Sequence, residues 1–169
     1  MSNLATSQAN DPAAQAALLA RQMDASFDWR RLNALRDRWP HRLIVKGLMR
    51  PDDVAEAFSI GVDAVVLSNH GGRQLDDALS PLEVLTQIEG AQGDLLIDGG
   101  IRRGSDVVKA LALGAQGVLL GRAPLYGLAV GGEDGAFDVL QMLKAEIEST
   151  MAHLGAPTIS DLTRDLVLM

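Results

Sequence analysis

The chain is 169 residues long, 47% hydrophobic, 22% charged and only 4% aromatic, with a formal net charge of −7 and no cysteine. That length supports one domain whose core is built from Ala, Val, Leu and Ile, a composition suited to parallel strands covered by helices. The acidic balance argues against a nucleic-acid binder, which needs surplus Lys and Arg, and the missing cysteine excludes disulfides and thiolate metal sites.

No apolar run approaches the roughly 18 to 20 residues of a transmembrane helix. Residues 1–10 are polar, lack the layout of a signal peptide and read as a linker or disordered segment, so a cytoplasmic location is expected. The unit that follows spans 11–169. Asp11, with Pro12 at the first helical position, opens an alanine-rich covering helix to about Met23. A second helix is predicted over 28–39, ending before Pro40. Regular alternation then sets in. The stretches 42–47 (RLIVKG), 64–69 (AVVLSN), 95–99 (LLIDG) and 117–122 (GVLLGR) read as buried strands. Between them lie predicted helices over 51–60, 81–89 and 105–113, and a long last helix over 133–154.

Four short strands, each followed by a helix, imply right-handed βαβ units and a parallel sheet. Two architectures fit: a doubly wound sheet, or part of a (β/α)₈ barrel. A whole barrel needs about 250 residues and eight strands. On the barrel reading, four strands therefore imply that half of the barrel is missing.

The chemistry gathers at the strand ends. The first ends in Lys46-Gly47, the second runs into Ser68-Asn69-His70-Gly71-Gly72-Arg73, the third into Asp98-Gly99-Gly100-Ile101-Arg102, and the fourth into Gly121-Arg122. In parallel α/β proteins that edge is where sites are built. The third and fourth ends suit a phosphate grip: glycines admit an anion to backbone N–H groups, the next helix N-terminus adds positive charge, and Arg102 and Arg122 offer bidentate contacts. Taken alone, such glycines also serve tight turns and such arginines are also solvated. His70 is an imidazole with room beside it, suited to taking a proton. Arg73, three residues on, can clamp a carboxylate. Lys46, in an apolar run, is either a lysine snorkelling from the rim or a fixed charge over a site. His41 and His153 read as surface residues.

The strings LIVKG, SNHGGRQLD, DGGIRRGSDVVKALALGA and GVLLGR, in this order, resemble the FMN-dependent 2-hydroxy acid oxidase and dehydrogenase family. The likeness runs from about Met23 to about Gly155. RQMDASFDW and GRAPLYGLA resemble its mandelate dehydrogenase branch. The resemblance implies the C-terminal half of a (β/α)₈ barrel, FMN as cofactor, and oxidation of an L-2-hydroxy acid, mandelate- or lactate-like, to the 2-oxo acid. It implies that Lys46 lies near the flavin N1 and C2 carbonyl and that Ser68 touches the flavin. It makes His70 the base and Arg73 the substrate carboxylate clamp. Asp98, Gly99, Gly100, Ile101 and Arg102 would line the ribityl and phosphate end, which Gly121 and Arg122 complete. Oxygen, a quinone or a cytochrome would accept the electrons.

The other half of the barrel supplies, in such relatives, a tyrosine near the substrate and an aspartate that pairs with the histidine. With four strands only, two sheet edges stand open, which implies self-association or complementation. It also keeps a second reading in view: a catalytically silent half-barrel that retains FMN or phosphate binding. Some relatives attach to membranes, but such attachment is not expected of this chain.

Overall fold

The computed structural model describes residues 11, 13–15, 17, 24 and 26–168. The 1–10 segment and most of the alanine-rich helix predicted to end near Met23 lie outside them. Residues 13–15 and 17 are helical.

Helix α1 (Trp29–Arg38) begins after Asp28, whose carboxylate accepts the Arg31 N–H at 2.9 Å, and stops before Pro40. Then follow β1 (Ile44–Leu48), α2 (Pro51–Ser59), β2 (Ala64–Leu67), α3 (Pro81–Thr86), β3 (Asp94–Asp98), α4 (Gly104–Ala112), β4 (Gly117–Leu119) and α5 (Arg122–Leu154). Two 3₁₀ turns, Ile159–Asp161 and Arg164–Leu166, close the described chain. The strands are all parallel and lie side by side in sequence order, β1-β2-β3-β4. A doubly wound sheet reverses its strand order at a switch point. This sheet does not, so the architecture is half of a (β/α)₈ barrel.

Strand periodicity sends alternate side chains to opposite faces. Val45, Val65, Leu67, Leu95, Ile97 and Val118 face the helices, where they pack with Val54, Phe58, Val84, Leu85, Ala110 and Leu113. The opposite face carries Ile44, Lys46, Val66, Leu96, Asp98 and Leu119. On its two edge strands Ile44 is 54% and Leu119 36% exposed. The core therefore lies between sheet and helices, and the barrel side of the sheet is open.

At the strand starts, Asp63 gathers the layers. Its Oδ2 accepts the Leu43 N–H at 2.7 Å and Arg36 Nη1 at 3.0 Å. Arg36 also donates to the carbonyls of Gly61 and His41. The Leu43 N–H, then the Arg36 guanidinium, hold the Asp63 carboxyl below its ordinary value.

Two boundaries correct the sequence reading. The fourth strand was predicted to reach Arg122, but β4 stops at Leu119 and Arg122 is the first residue of α5. The last helix was predicted to start at 133, but helix also covers 122–130. Gly131 and Gly132, the latter at φ 61, break α5 into two arms. The arms fold back because Gly127 has no side chain: a Cβ there would lie 2.2 Å from the Gly135 carbonyl oxygen.

Candidate active site

The four strand ends do converge. Lys46, His70, Gly71, Arg73, Asp98, Gly99, Gly100, Ile101, Arg102, Gly121 and Arg122 all line one cleft of about 520 Å³. Clefts for small molecules and cofactors span about 300–1,000 Å³. Ser68 stands just behind, on a neighbouring hollow that also takes in Lys46 and His70. The cleft carries four cationic side chains, Lys46, Arg73, Arg102 and Arg122, against one carboxylate, Asp98. In a chain of net charge −7, that local excess marks a place for an anion.

Lys46 is tied to neighbouring strands, although its side chain is 43% exposed. Its Nζ donates to Ser68 Oγ at 2.6 Å and pairs with Asp98 Oδ2 at 2.6 Å. These three residues come from the ends of β1, β2 and β3, so the pairing pins an ammonium over the middle of the sheet. Among the described residues, Asp98 Oδ1 is buried with no hydrogen-bond partner. Such an atom is costly unless a donor reaches it, and it suits a ligand hydroxyl.

The loop after β2 is tightly wound. His70, Gly71 and Gly72 stand at φ 57, 68 and 73, three left-handed residues in a row. Ser68 Oγ accepts the His70 N–H at 3.1 Å, and Asn69 Oδ1 accepts the Gly72 N–H at 3.2 Å. The His70 and Arg73 side chains are exposed on the cleft wall. His41 and His153 are exposed and away from the cleft, as predicted.

The two helix openings that the sequence reading offered to a phosphate, after the third and the fourth strand, differ in how they are supplied. The N–H groups of Arg102 and Arg103 already donate to Asp106 Oδ2 at 3.0 Å, and the Gly104 N–H to Glu146 Oε2 at 2.6 Å. The opening of α4 is thus supplied with carboxylates from within the protein. The α5 end is different: Gly121 caps it with no side-chain hydrogen bond, and Arg122 follows directly. At Gly100 and Gly121 a Cβ would meet nothing within 4 Å, so packing does not fill the space beside them.

Asn69, Leu125 and Tyr126 carried no role in the sequence reading. Asn69 shapes the loop, and Leu125 and Tyr126 add apolar wall to the cleft. Asn69 was adjacent to the singled-out histidine, and Tyr126 lay in the GRAPLYGLA string. Among the described residues, no group of three or more His, Asp or Glu is placed to hold a metal ion, and no helix is long and apolar enough to cross a membrane.

The profile of the family described as FMN-dependent dehydrogenase matches residues 1–169. The chain belongs to that family. Its relatives include (S)-mandelate dehydrogenase of Pseudomonas putida, 56% identical over 166 residues, which are 98% of this chain and 42% of that protein. An L-lactate oxidase of Nostoc sp. is 45% identical over 146 residues, 85% of this chain and 40% of that protein. Among solved structures, that of the monotopic membrane protein (S)-mandelate dehydrogenase aligns with a TM-score of 0.85 at 56% identity, covering 95% of this chain and 43% of the other. A flavocytochrome b2 variant with sulfite bound aligns at 0.82 with 41% identity, covering 85% and 39%. The chain thus spans about two fifths of the length of these family members, in keeping with its four strands.

The residues present fit the family's cofactor, FMN. Arg102 and Arg122 line the same cleft as the Lys46 ammonium and Asp98, whose Oδ1 has no partner among the described residues, and at Gly100 and Gly121 the backbone leaves open space beside it.

Proposed function

We propose that this chain carries the FMN-binding and substrate-activating half of an enzyme that oxidises an L-2-hydroxy acid, mandelate- or lactate-like, to the 2-oxo acid. One observation carries the reading: an imidazole and a guanidinium, His70 and Arg73, share a cleft with Arg102, Arg122 and the glycines beside them.

In this reading Arg102, Arg122 and the backbone of Gly99, Gly100, Ile101 and Gly121 hold the phosphate of FMN. Asp98 would hold the ribityl chain through its Oδ1. Ser68 and Lys46 face the ring system, and the ammonium favours negative charge arriving there. When bound, FMN takes up the two electrons that leave the substrate. Arg73 grips the substrate carboxylate with two parallel hydrogen bonds, which turns the hydroxyl-bearing carbon toward His70. His70 takes a proton from that centre.

A second reading is a half-barrel that binds FMN without turning it over. It is favoured by the His70 ring, which has no hydrogen-bond partner among the described residues and so lacks the orienting contact a catalytic imidazole ordinarily has. The open edges of β1 and β4 extend both readings to self-association or to complementation by other strands.

The experiment is a visible spectrum of the purified chain with FMN, followed by anaerobic mandelate or lactate. Bleaching of the bound flavin band is the expected result. Binding without bleaching selects the silent half-barrel, and no binding removes both readings. Reoxidation by oxygen, a quinone analogue or cytochrome c then identifies the class of electron acceptor.

A further inference from the structure

We infer that Arg122 is a positioning residue for the loop that carries His70 and Arg73, and not solely an anion ligand. The functional meaning of this inference rests on the roles proposed for His70 and Arg73.

The loop's own hydrogen bonds are short-range. Gly72 N–H donates to the Asn69 carbonyl at 3.1 Å and to Asn69 Oδ1 at 3.2 Å, His70 N–H donates to Ser68 Oγ, and Asn69 Nδ2 donates to the Leu79 carbonyl at 3.2 Å. Among the described residues, the hydrogen bond that reaches 70–73 from elsewhere in the fold comes from Arg122, whose Nη2 donates to the Gly71 carbonyl at 3.2 Å across 51 residues of sequence. The contact is close: a Cβ on Gly71 would stand 3.3 Å from the same nitrogen. It also falls at the middle of the three left-handed residues, a backbone state that a non-glycine residue keeps only when its surroundings enforce it.

Arg122 is well placed to enforce it. Its backbone is fixed as the first residue of α5, and its guanidinium spans from the fourth βα unit to the second. A guanidinium has five N–H donors in a rigid fork. One donor goes to Gly71, and the same side chain lines the cleft. A single side chain therefore links two events: an anion settling at the α5 end, and the loop holding its imidazole and its carboxylate clamp in place. Binding linkage makes the coupling reciprocal, so a bound phosphate tightens the loop and an ordered loop improves the phosphate site.

The test uses the cofactor-free full chain, with Arg122→Met and Arg122→Lys. Amide hydrogen exchange is read at Gly71, Gly72 and Arg73, and the His70 ring signals are read by NMR. Flavin fluorescence gives the affinities for FMN and for riboflavin, which lacks the phosphate. In Arg122→Met the loop amides are expected to exchange about fivefold to tenfold faster, as suits one lost hydrogen bond, and the His70 ring signals to shift, while β3 and α4 stay as they were. Arg122→Lys, which still has a donor for the Gly71 carbonyl, is expected to recover part of the protection. Exchange and ring signals identical to the parent in Arg122→Met overturn the inference, even if FMN binds more weakly. A loosened loop with an unchanged preference for FMN over riboflavin sustains it, and removes Arg122 from the proposed phosphate site instead.

Discussion

His70 stands at φ 57, where an L-residue ordinarily loses about 1–2 kcal/mol. Histidine is among the residues that tolerate this region best, and a β-branched residue tolerates it worst. In urea denaturation, His70→Gly is therefore expected to match the parent or exceed it by up to about 1 kcal/mol, whereas His70→Val is expected to fall about 1–2 kcal/mol below it. Equal midpoints for the two variants would show that the loop's backbone is not set by the left-handed turn. The same residue shows what sequence can reveal. An imidazole between a strand and two glycines was recognisable as a candidate base. Its attachment through Gly71 to Arg122 was not, because that hydrogen bond joins residues 51 positions apart. Lys46 was ambiguous for the same reason, since Asp98, with which it pairs, lies two strands away.

At the scale of elements, Asp63 ties the start of β1 to α1 and makes a pH-dependent contribution. Its carboxyl is held below the ordinary value of 3.8 by the Leu43 N–H and then by Arg36. A depressed folded value means that the stabilisation is complete above about 4 and is lost as pH falls through the folded value. Asp63→Asn is expected to be less stable than the parent at neutral pH, and the gap is expected to close in acid. Thermal melts between pH 7 and pH 2 measure that difference. A gap that stays constant would count against the assignment. The strands and most helices were legible because their apolar runs and glycine boundaries are local signals. The first arm of α5 was not legible. Pro124, Gly127 and the Gly131-Gly132 pair interrupt its pattern, and it stands as a helix because Gly127 meets Gly135 on the returning arm. The carboxylate that receives the Gly104 N–H was equally hidden, since Glu146 lies 42 residues further on.

At the scale of the molecule, the sheet ends in two parallel edges, β1 and β4, that are unpaired among the described residues, and its barrel side exposes Ile44 and Leu119. Unpaired edges recruit other strands. The isolated 169-residue chain is expected to associate as its concentration rises, and sedimentation velocity over a hundredfold range reads this directly. A sedimentation coefficient that stays at the monomer value throughout would show that these edges are protected.

The placement of the buried layer has one more consequence. Cohesion and chemistry occupy opposite sides of the same four strands, separated by no more than the thickness of a pleat. Val65, Leu67, Leu95 and Ile97 bind the chain together on one side, while Lys46 and Asp98 project from the other. Selection can therefore retune the charges of the working surface without dismantling the scaffold behind it.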